Sequence, residues 1–428
     1  MRGEVAAVSC PSCGAGLMAL GGGRVVLQVC AHCGAALDAV DNYRLLKTFA
    51  DRRRPATPFQ LGMKGQIAGI DWTVIGILGW AETWKGERWN WTDHQLFSPT
   101  HGYAWLTLED GHLILTRAWR GPLGPNWITS QTVELAEHPP TIRARNRTYT
   151  YYETSDARIS YADGEFSSVA MVGDRVQSLC FLAEDEMLTL TQTGTEREVE
   201  LSTWPQQAET WASFGLTSLG KPWRVHPLQP YRPWPNERFL GATGAVLAFV
   251  SLIMGLLLLA QGEKVQPVMQ PGASRLAFEA ELPITRTRGL IRLVVQTDLY
   301  NAWSGIDVEI TDPDDAPVFQ TAREVGYYQG VEGGESWSEG NQTLSISFRP
   351  EVAGNYRVSL DVPEGGSGEG VEGSPIRTMQ FLAYQGEAAS FWMWLVFAIS
   401  LPIAGLTPLR SWLHHKARWR GSDWSEED

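Results

Sequence analysis

Four of the five cysteines in this 428-residue chain stand as two pairs, Cys10-Pro-Ser-Cys13-Gly and Cys30-Ala-His-Cys33-Gly, with 16 residues between them. That is zinc-ribbon spacing. Two thiolates three positions apart on a tight turn can take two corners of a tetrahedron, and the following glycine admits the left-handed backbone the turn needs. Cys10, Cys13, Cys30 and Cys33 are therefore the expected ligands of a structural Zn2+, whose binding supplies folding energy that so small a core lacks. Four thiolates leave no open position for catalysis, and His32 reads as an ordinary knuckle residue. A reducing cytoplasmic setting argues against disulfides. Residues 1–40 carry Arg2 and Arg24 against Glu4 and Asp38, so no basic surface accompanies the thiols and nucleic acid is not an expected partner.

A second set of residues has the chemistry for acid–base work or metal binding: Asp93, His94, His101 and His112, with Glu165 and Asp185 further along. Their spacing matches no ligand motif. The expectation is that they are polar residues of strands and turns, and no catalytic residue is assigned. Cys180, in the apolar run SLCFLA, reads as a core thiol. The 19 tryptophans, seven of them at 72, 80, 84, 89, 91, 105 and 119, read first as packing for a small β core and second as the wall of a ligand groove.

The elements that carry these residues follow from hydropathy and punctuation. Residues 24–29 read as a strand leading into the second knuckle, residues 43–49 as a short amphipathic helix, and residues 51–58, DRRRPATP, as a linker. From residue 61 onward, short β-type runs are broken by glycine about every ten residues, the pattern of an antiparallel barrel or sandwich. A similar block at residues 148–201 is either the second half of one fold or a second small domain. Residues 216–235, rich in proline and aromatic residues, read as an extended connector with Trp223, Tyr231 and Trp234 near a bilayer interface.

Residues 239–260 hold no charge, and 22 residues of helix reach about 33 Å, enough for a bilayer core. Residues 391–409 are nearly as apolar despite Pro402 and Pro408. Lys221, Arg224, Arg232 and Arg238 precede the first run, and Arg410, Lys416, Arg418 and Arg420 follow the second. The positive-inside rule then places both termini in the cytoplasm and residues 261–390 outside an inner (plasma) membrane. That segment holds 19 acidic and 9 basic residues and no cysteine, whereas residues 1–238 hold 25 and 22. Its alternating runs at 276–282, 290–299, 305–311, 343–350 and 354–362 read as a β-sandwich, with Tyr356 facing inward as in many immunoglobulin-like or jelly-roll domains. Asp312, Asp314 and Asp315 read as a solvated turn, and the acidic, glycine-rich run 364–374 as a loop.

The motifs Gly65-Gln-Ile-Ala-Gly-Ile-Asp-Trp72-Thr-Val-Ile-Gly76, Trp89-Asn-Trp91-Thr-Asp-His94-Gln-Leu96, Gly102-Tyr-Ala-Trp-Leu106 and Tyr161-Ala-Asp-Gly164-Glu165-Phe166, with the stretch 188–204, resemble a bacterial family catalogued as domain of unknown function 4178. The resemblance covers about residues 55–230. It implies a domain often coupled to a ribbon or to membrane segments in envelope or stress-associated systems. It carries no reaction or ligand, and so no catalytic residue. Where members tend to show a Trp-x-Glu-Tyr element, this chain has Trp91-Thr-Asp-His94.

The expected protein is mainly β: a zinc ribbon (1–42), a linker (43–58), a cytoplasmic β domain (59–215), a connector (216–238), two membrane helices (239–260 and 391–409) around a β-sandwich (270–385), and a cytoplasmic tail (410–428). Its expected partners are a lipid bilayer and proteins on either membrane face. A non-catalytic scaffold or sensor is expected ahead of an enzyme sited in the cytoplasmic domain or a ribbon that binds nucleic acid.

Overall fold

The computed structural model describes residues 8–49, 53–84, 86–193, 196–218, 222, 224–274, 277–363, 365–367 and 376–424. Arg2, Glu4, Asp51, Arg52, Lys221, Trp223 and most of the run 364–374 lie outside them. The chain divides into two compact units, Met1–Arg232 with Pro408–Asp428, and Pro233–Thr407.

In the first unit a hairpin, β1 (Val8–Ser9) and β2 (Gly16–Leu17), precedes the meander β3 (Leu27–Val29), β4 (Ala35–Asp38) and β5 (Arg44–Thr48). Residues 43–49 are thus not a helix. Asn42 and Tyr43, at φ 45° and 55°, form a left-handed turn that folds Arg44–Thr48 back onto the open edge of β4, where strand hydrogen bonds outweigh a weak helical preference. The strand expected at 24–29 is shortened by a 3-10 turn at Gly22–Arg24.

Two similar runs follow. The first is β6 (Lys64–Ile67), β7 (Ile70–Trp84), β8 (Glu87–Ser98), β9 (Gly102–Glu109), β10 (His112–Ala118) and helix α1 (Ser130–Glu134). The second is β11 (Thr141–Ala144), β12 (Arg147–Phe166), β13 (Arg175–Leu182), β14 (Glu186–Thr193), β15 (Glu196–Thr203) and helix α2 (Gln207–Ser213). Each opens with a hairpin, continues as an antiparallel meander and ends near a short helix. Because β10 pairs with β15 and β7 with β12, the two meanders close into one eight-stranded ring. The block at 148–201 is the second half of a single barrel.

The 20-residue β12 serves β13, then β7, then β3, so the ribbon meander extends the barrel's own sheet. Gly164 makes the last exchange possible. It sits at φ 91°, and a Cβ there would lie 2.3 Å from the Ile75 carbonyl oxygen. Two apolar clusters clothe the halves. Trp72, Val74, Leu96, Leu106 and Leu115 pack with Phe59 and with Trp211 and Phe214 near α2; Tyr149, Phe181, Leu188 and Leu190 pack with Ile128 and Val133.

The second unit contains helix α3 (Glu237–Leu259) and, up to Thr407, helix α4 (Phe391–Trp419). α4 runs unbroken through Pro402 and Pro408 and extends ten residues beyond the expected span. Between the helices lie β16 (Glu263–Val265), β17 (Val268–Ser274), β18 (Ala277–Ile284), β19 (Leu290–Thr297), β20 (Ala302–Thr311), β21 (Pro317–Glu332), β22 (Glu335–Asn341), β23 (Thr343–Phe348), β24 (Gly354–Asp361), β25 (Gly365–Ser367) and β26 (Met379–Glu387). A four-stranded sheet, β16-β26-β19-β23, and a seven-stranded one, β17-β18-β24-β20-β21-β22 with β25 on β20, share one apolar core that includes Leu293, Ile306, Val308, Tyr356 and Leu360. Tyr356 is fully buried, facing inward as its strand position led us to expect, and it donates its hydroxyl to Val352 O at 2.9 Å.

Candidate metal centre and barrel interior

The β1–β2 hairpin presents Cys10 and Cys13, and the β3–β4 hairpin presents Cys30 and Cys33. The two knuckles share one geometry. Cys10 N donates to Ala15 O and Gly14 N to Cys10 O, both at 2.8 Å; Cys30 N donates to Ala35 O and Gly34 N to Cys30 O, both at 2.9 Å. Gly14 and Gly34 sit at φ 77° and 72°, the left-handed turn expected of each.

All four sulfurs lie within 4.8 Å of one another, with Cys10 Sγ to Cys33 Sγ at 3.7 Å and Cys13 Sγ to Cys30 Sγ at 3.8 Å. A tetrahedron with metal–sulfur bonds of about 2.3 Å has edges of about 3.8 Å, so the thiol set fits a tetrahedral thiophilic ion. Cys30 is raised by burial. At Cys33 burial also opposes ionisation, but the Ala35 N–H and the three neighbouring thiols prevail and bring it down to about 7. Cys13 does not share this lowering: there the Ala15 N–H is outweighed by hydrogen bonds with the neighbouring thiols and by burial, which push it up to about 12. His32 is exposed and contributes its backbone N–H to Cys30, not its ring.

The remaining expected residues do not converge. His94 is fully buried: its Nδ1 donates to Leu106 O at 2.7 Å, so its Nε2 accepts from Thr57 Oγ1, also at 2.7 Å. Burial, helped by the Arg54 charge, holds it down at about 4 against the Leu106 hydrogen bond, which favours the protonated ring. It fastens the loop before Phe59 to the barrel, and a neutral, enclosed imidazole is not a proton shuttle at neutral pH. His112 donates from Nε2 to Arg224 O at 3.0 Å, and its Nδ1 is buried without a hydrogen-bond partner. A cleft of about 450 Å3 beside it is lined by Trp204, Gln207, Trp211, Arg224 and Arg232. His101 is exposed and bonded to Thr100 Oγ1; Asp185 is exposed and paired with Arg147.

Glu165 has a structural duty. Its carboxylate accepts from Leu20 N at 2.7 Å, tying the cysteine ribbon to β12, and Tyr103 reinforces the tie by donating to Gly21 O at 2.9 Å. Cys180 is buried beside Thr189, and burial pushes its thiol well up, as a core thiol should be. The tryptophans divide: Trp72 is buried in the core, Trp80 and Trp91 stack at 6.0 Å, Trp89 carries Arg224 at 4.3 Å, and Trp84 is 42% exposed. They form no single exposed face among the described residues.

What the spacing did not reveal is an acidic barrel interior. Like charge acts between Glu109 on β9 and Asp93 on β8, between Asp93 and Glu200 on β15, and between Glu109 and Glu153 on β12; β9 and β12 are not neighbours in the ring, which fits half-buried carboxylates on its inner side. Burial, together with like charge, pushes Glu153 up to about 8, Glu200 to about 7 and Asp93 to about 6. Asp93 accepts from Thr107 Oγ1 at 2.6 Å. Glu109 is the exception and stays ionised. Leu228 N donates to His226 Nδ1, so the His226 Nε2 proton faces Glu109 at 3.6 Å, and this partner overcomes burial. In sequence these acids occupy the polar positions of alternating strands and look like a solvent face. Only ring closure turns that face inward.

Residues 60–207 match the family described as "Domain of unknown function (DUF4178)". No curated protein matches the chain. Among solved structures, the exo-beta-1,3-galactanase of Phanerochaete chrysosporium with galactose is similar at 8% identity over 89% of this chain and 99% of that one, with a TM-score of 0.13. Infectious bursal disease virus Gt strain is similar at 10% identity over 83% and 69%, with a TM-score of 0.12. At such scores neither lends this chain a fold or an activity.

Proposed function

We propose that this protein is a non-catalytic scaffold or sensor held at a membrane by a two-helix hairpin. In this reading a zinc-stabilised barrel lies on the cytoplasmic side of a bacterial inner membrane and the β-sandwich on the other. One observation carries it. The segments before the first apolar helix and after the second fold into one unit, Met1–Arg232 with Pro408–Asp428, so two crossings return the chain to the side it left. That agrees with the charge asymmetry around the spans and does not depend on it.

The helices themselves support a membrane. Only 22% and 6% of their most apolar stretches are buried, whereas a core helix of a soluble domain is mostly enclosed. A non-catalytic role is supported by the all-thiolate set, which leaves a bound Zn2+ no open position, and by the engagement of His94 in core hydrogen bonds.

Cysteines introduced as Glu335→Cys and Glu137→Cys test the topology: an impermeant maleimide applied to intact cells should label the first and spare the second. The reverse pattern, or equal labelling, would overturn the two-sided arrangement. Cross-linking in membranes followed by purification should recover a defined protein partner, and repeated recovery of the chain alone would count against a scaffold.

A further inference from the structure

Residues 418–424, Arg-Trp-Arg-Gly-Ser-Asp-Trp, run from the end of α4 across the barrel at β12. Arg418 is only 6% exposed. It donates through Nε to Pro227 O and through Nη2 to Ala183 O, while its own carbonyl accepts from the Tyr152 hydroxyl at 3.1 Å. Tyr152 O receives both Ser422 Oγ, at 2.7 Å, and Asp423 N, at 2.9 Å. The Asp423 carboxylate accepts from the Tyr151 hydroxyl at 2.8 Å and from Thr154 N at 2.7 Å. Trp419 and Trp424 lie against the rings of Tyr152 and Tyr151. A side chain on Gly421 would begin 3.0 Å from the Tyr152 hydroxyl oxygen.

The barrel does not need this segment in order to close, since its eight strands pair in a complete ring without it. The contacts also have the make-up of an interface: two tryptophans and a buried arginine as anchors, an exposed rim carboxylate on Asp423 with two donors, and hydrogen bonds to backbone.

We propose that the surface formed by Tyr151, Tyr152, Thr154, Ala183 and Pro227 is a peptide-recognition site for an Arg-x-x-Gly-Ser-Asp-Trp segment, filled in cis by the chain's own residues 418–424. Each feature of the segment has a reader. The guanidinium answers two carbonyls, the glycine passes under a tyrosine hydroxyl, the serine and aspartate pair with β12, and the final tryptophan packs on Tyr151. Tethering by α4 gives the tail a high effective concentration, so a segment in trans enters only when the tail lets go. The proposal stands whether or not the helices cross a membrane.

The test uses the full chain in detergent and a fluorescent peptide of residues 416–424. An Asp423→Ala, Trp424→Ala double variant should bind the peptide at least tenfold more tightly than wild type, whose site is occupied. Adding Tyr151→Phe, or replacing the peptide's aspartate by asparagine, should weaken that binding several-fold. A double variant with an unchanged melting transition that binds no peptide, or a wild type that binds it equally well, overturns the proposal. Carboxypeptidase trimming of the wild-type tail needs no variant: it should quicken as peptide is added, and a rate indifferent to saturating peptide is equally fatal.

Discussion

Chemistry in this protein is decided side chain by side chain, and the outcomes for similar residue types diverge. The four knuckle thiols converge on one point, while His94, His101 and His112 serve three unrelated neighbourhoods. Cys30 is a corner of the tetrahedron, so Cys30→Ser should lower bound zinc from about one ion per chain to a small fraction, whereas Cys180→Ser should leave it unchanged, as read by elemental analysis of purified protein. His94→Ala removes two hydrogen bonds and a buried ring that packs 4.6 Å from Phe59. A loss of about 2–4 kcal/mol is expected in denaturant titrations, since a fully buried ring is removed and Leu106 O loses a partner, while Thr57 Oγ1 keeps only Phe59 N.

Between elements, close approach is governed by small residues. Gly241, Gly244, Ala248, Ser251 and Gly255 recur along α3 at intervals of three and four, and three of them meet α4 directly. A Cβ on Gly241 would lie 2.9 Å from Thr407 Oγ1, one on Gly244 2.9 Å from Ala404 N, and one on Gly255 3.2 Å from the Trp394 ring. In a lipid setting such a seam lets helices pack where no hydrophobic drive exists between them. Gly244→Leu should therefore pry the pair apart. The measurable consequence is that a disulfide between Gly241→Cys and Thr407→Cys, efficient in the parent, should form several-fold more slowly. Equal rates would mean that the seam does not hold the helices.

Across the whole barrel, the interior acids set how stability follows pH. The folded state keeps protons on Glu153 and Glu200 that the unfolded chain releases near pH 4.5, so their burial costs least at low pH and destabilises progressively as pH rises toward about 7 for Glu200 and about 8 for Glu153. His94 has the opposite sign: its folded pKa of about 4 lies below the unfolded 6.5, so its contribution is complete above 6.5 and is lost as pH falls toward 4. Above pH 6.5 the carboxylates act without that opposition. The melting temperature should fall between pH 6.5 and 8.5, a change of about 1 kcal/mol after allowing for the solvent that reaches these half-buried groups, and Glu153→Gln should flatten the slope. A profile that rises over that interval would show that these carboxylates do not face one another across the ring.

The sequence alone determined whatever depends on neighbours along the chain. Thiol spacing and the glycine after each pair specify a knuckle locally, a charge-free run specifies a helix of membrane length, and period-two alternation specifies sandwich strands such as Leu290–Thr297 and Gly354–Asp361. The motifs around Trp72, Trp91 and Gly164 likewise sufficed to mark the region now matched at residues 60–207. Tertiary structure decided what depends on ring closure and on distant pairing. Residues 43–49 became a strand because β4 offered an edge, the acids of alternating strands turned inward because β7 met β12, and Glu165 became a fastener because Leu20, 145 positions away, came to its carboxylate. The tail at 418–424 found its place the same way. Alternation states that a strand has two faces, but only the closed sheet says which of them meets water.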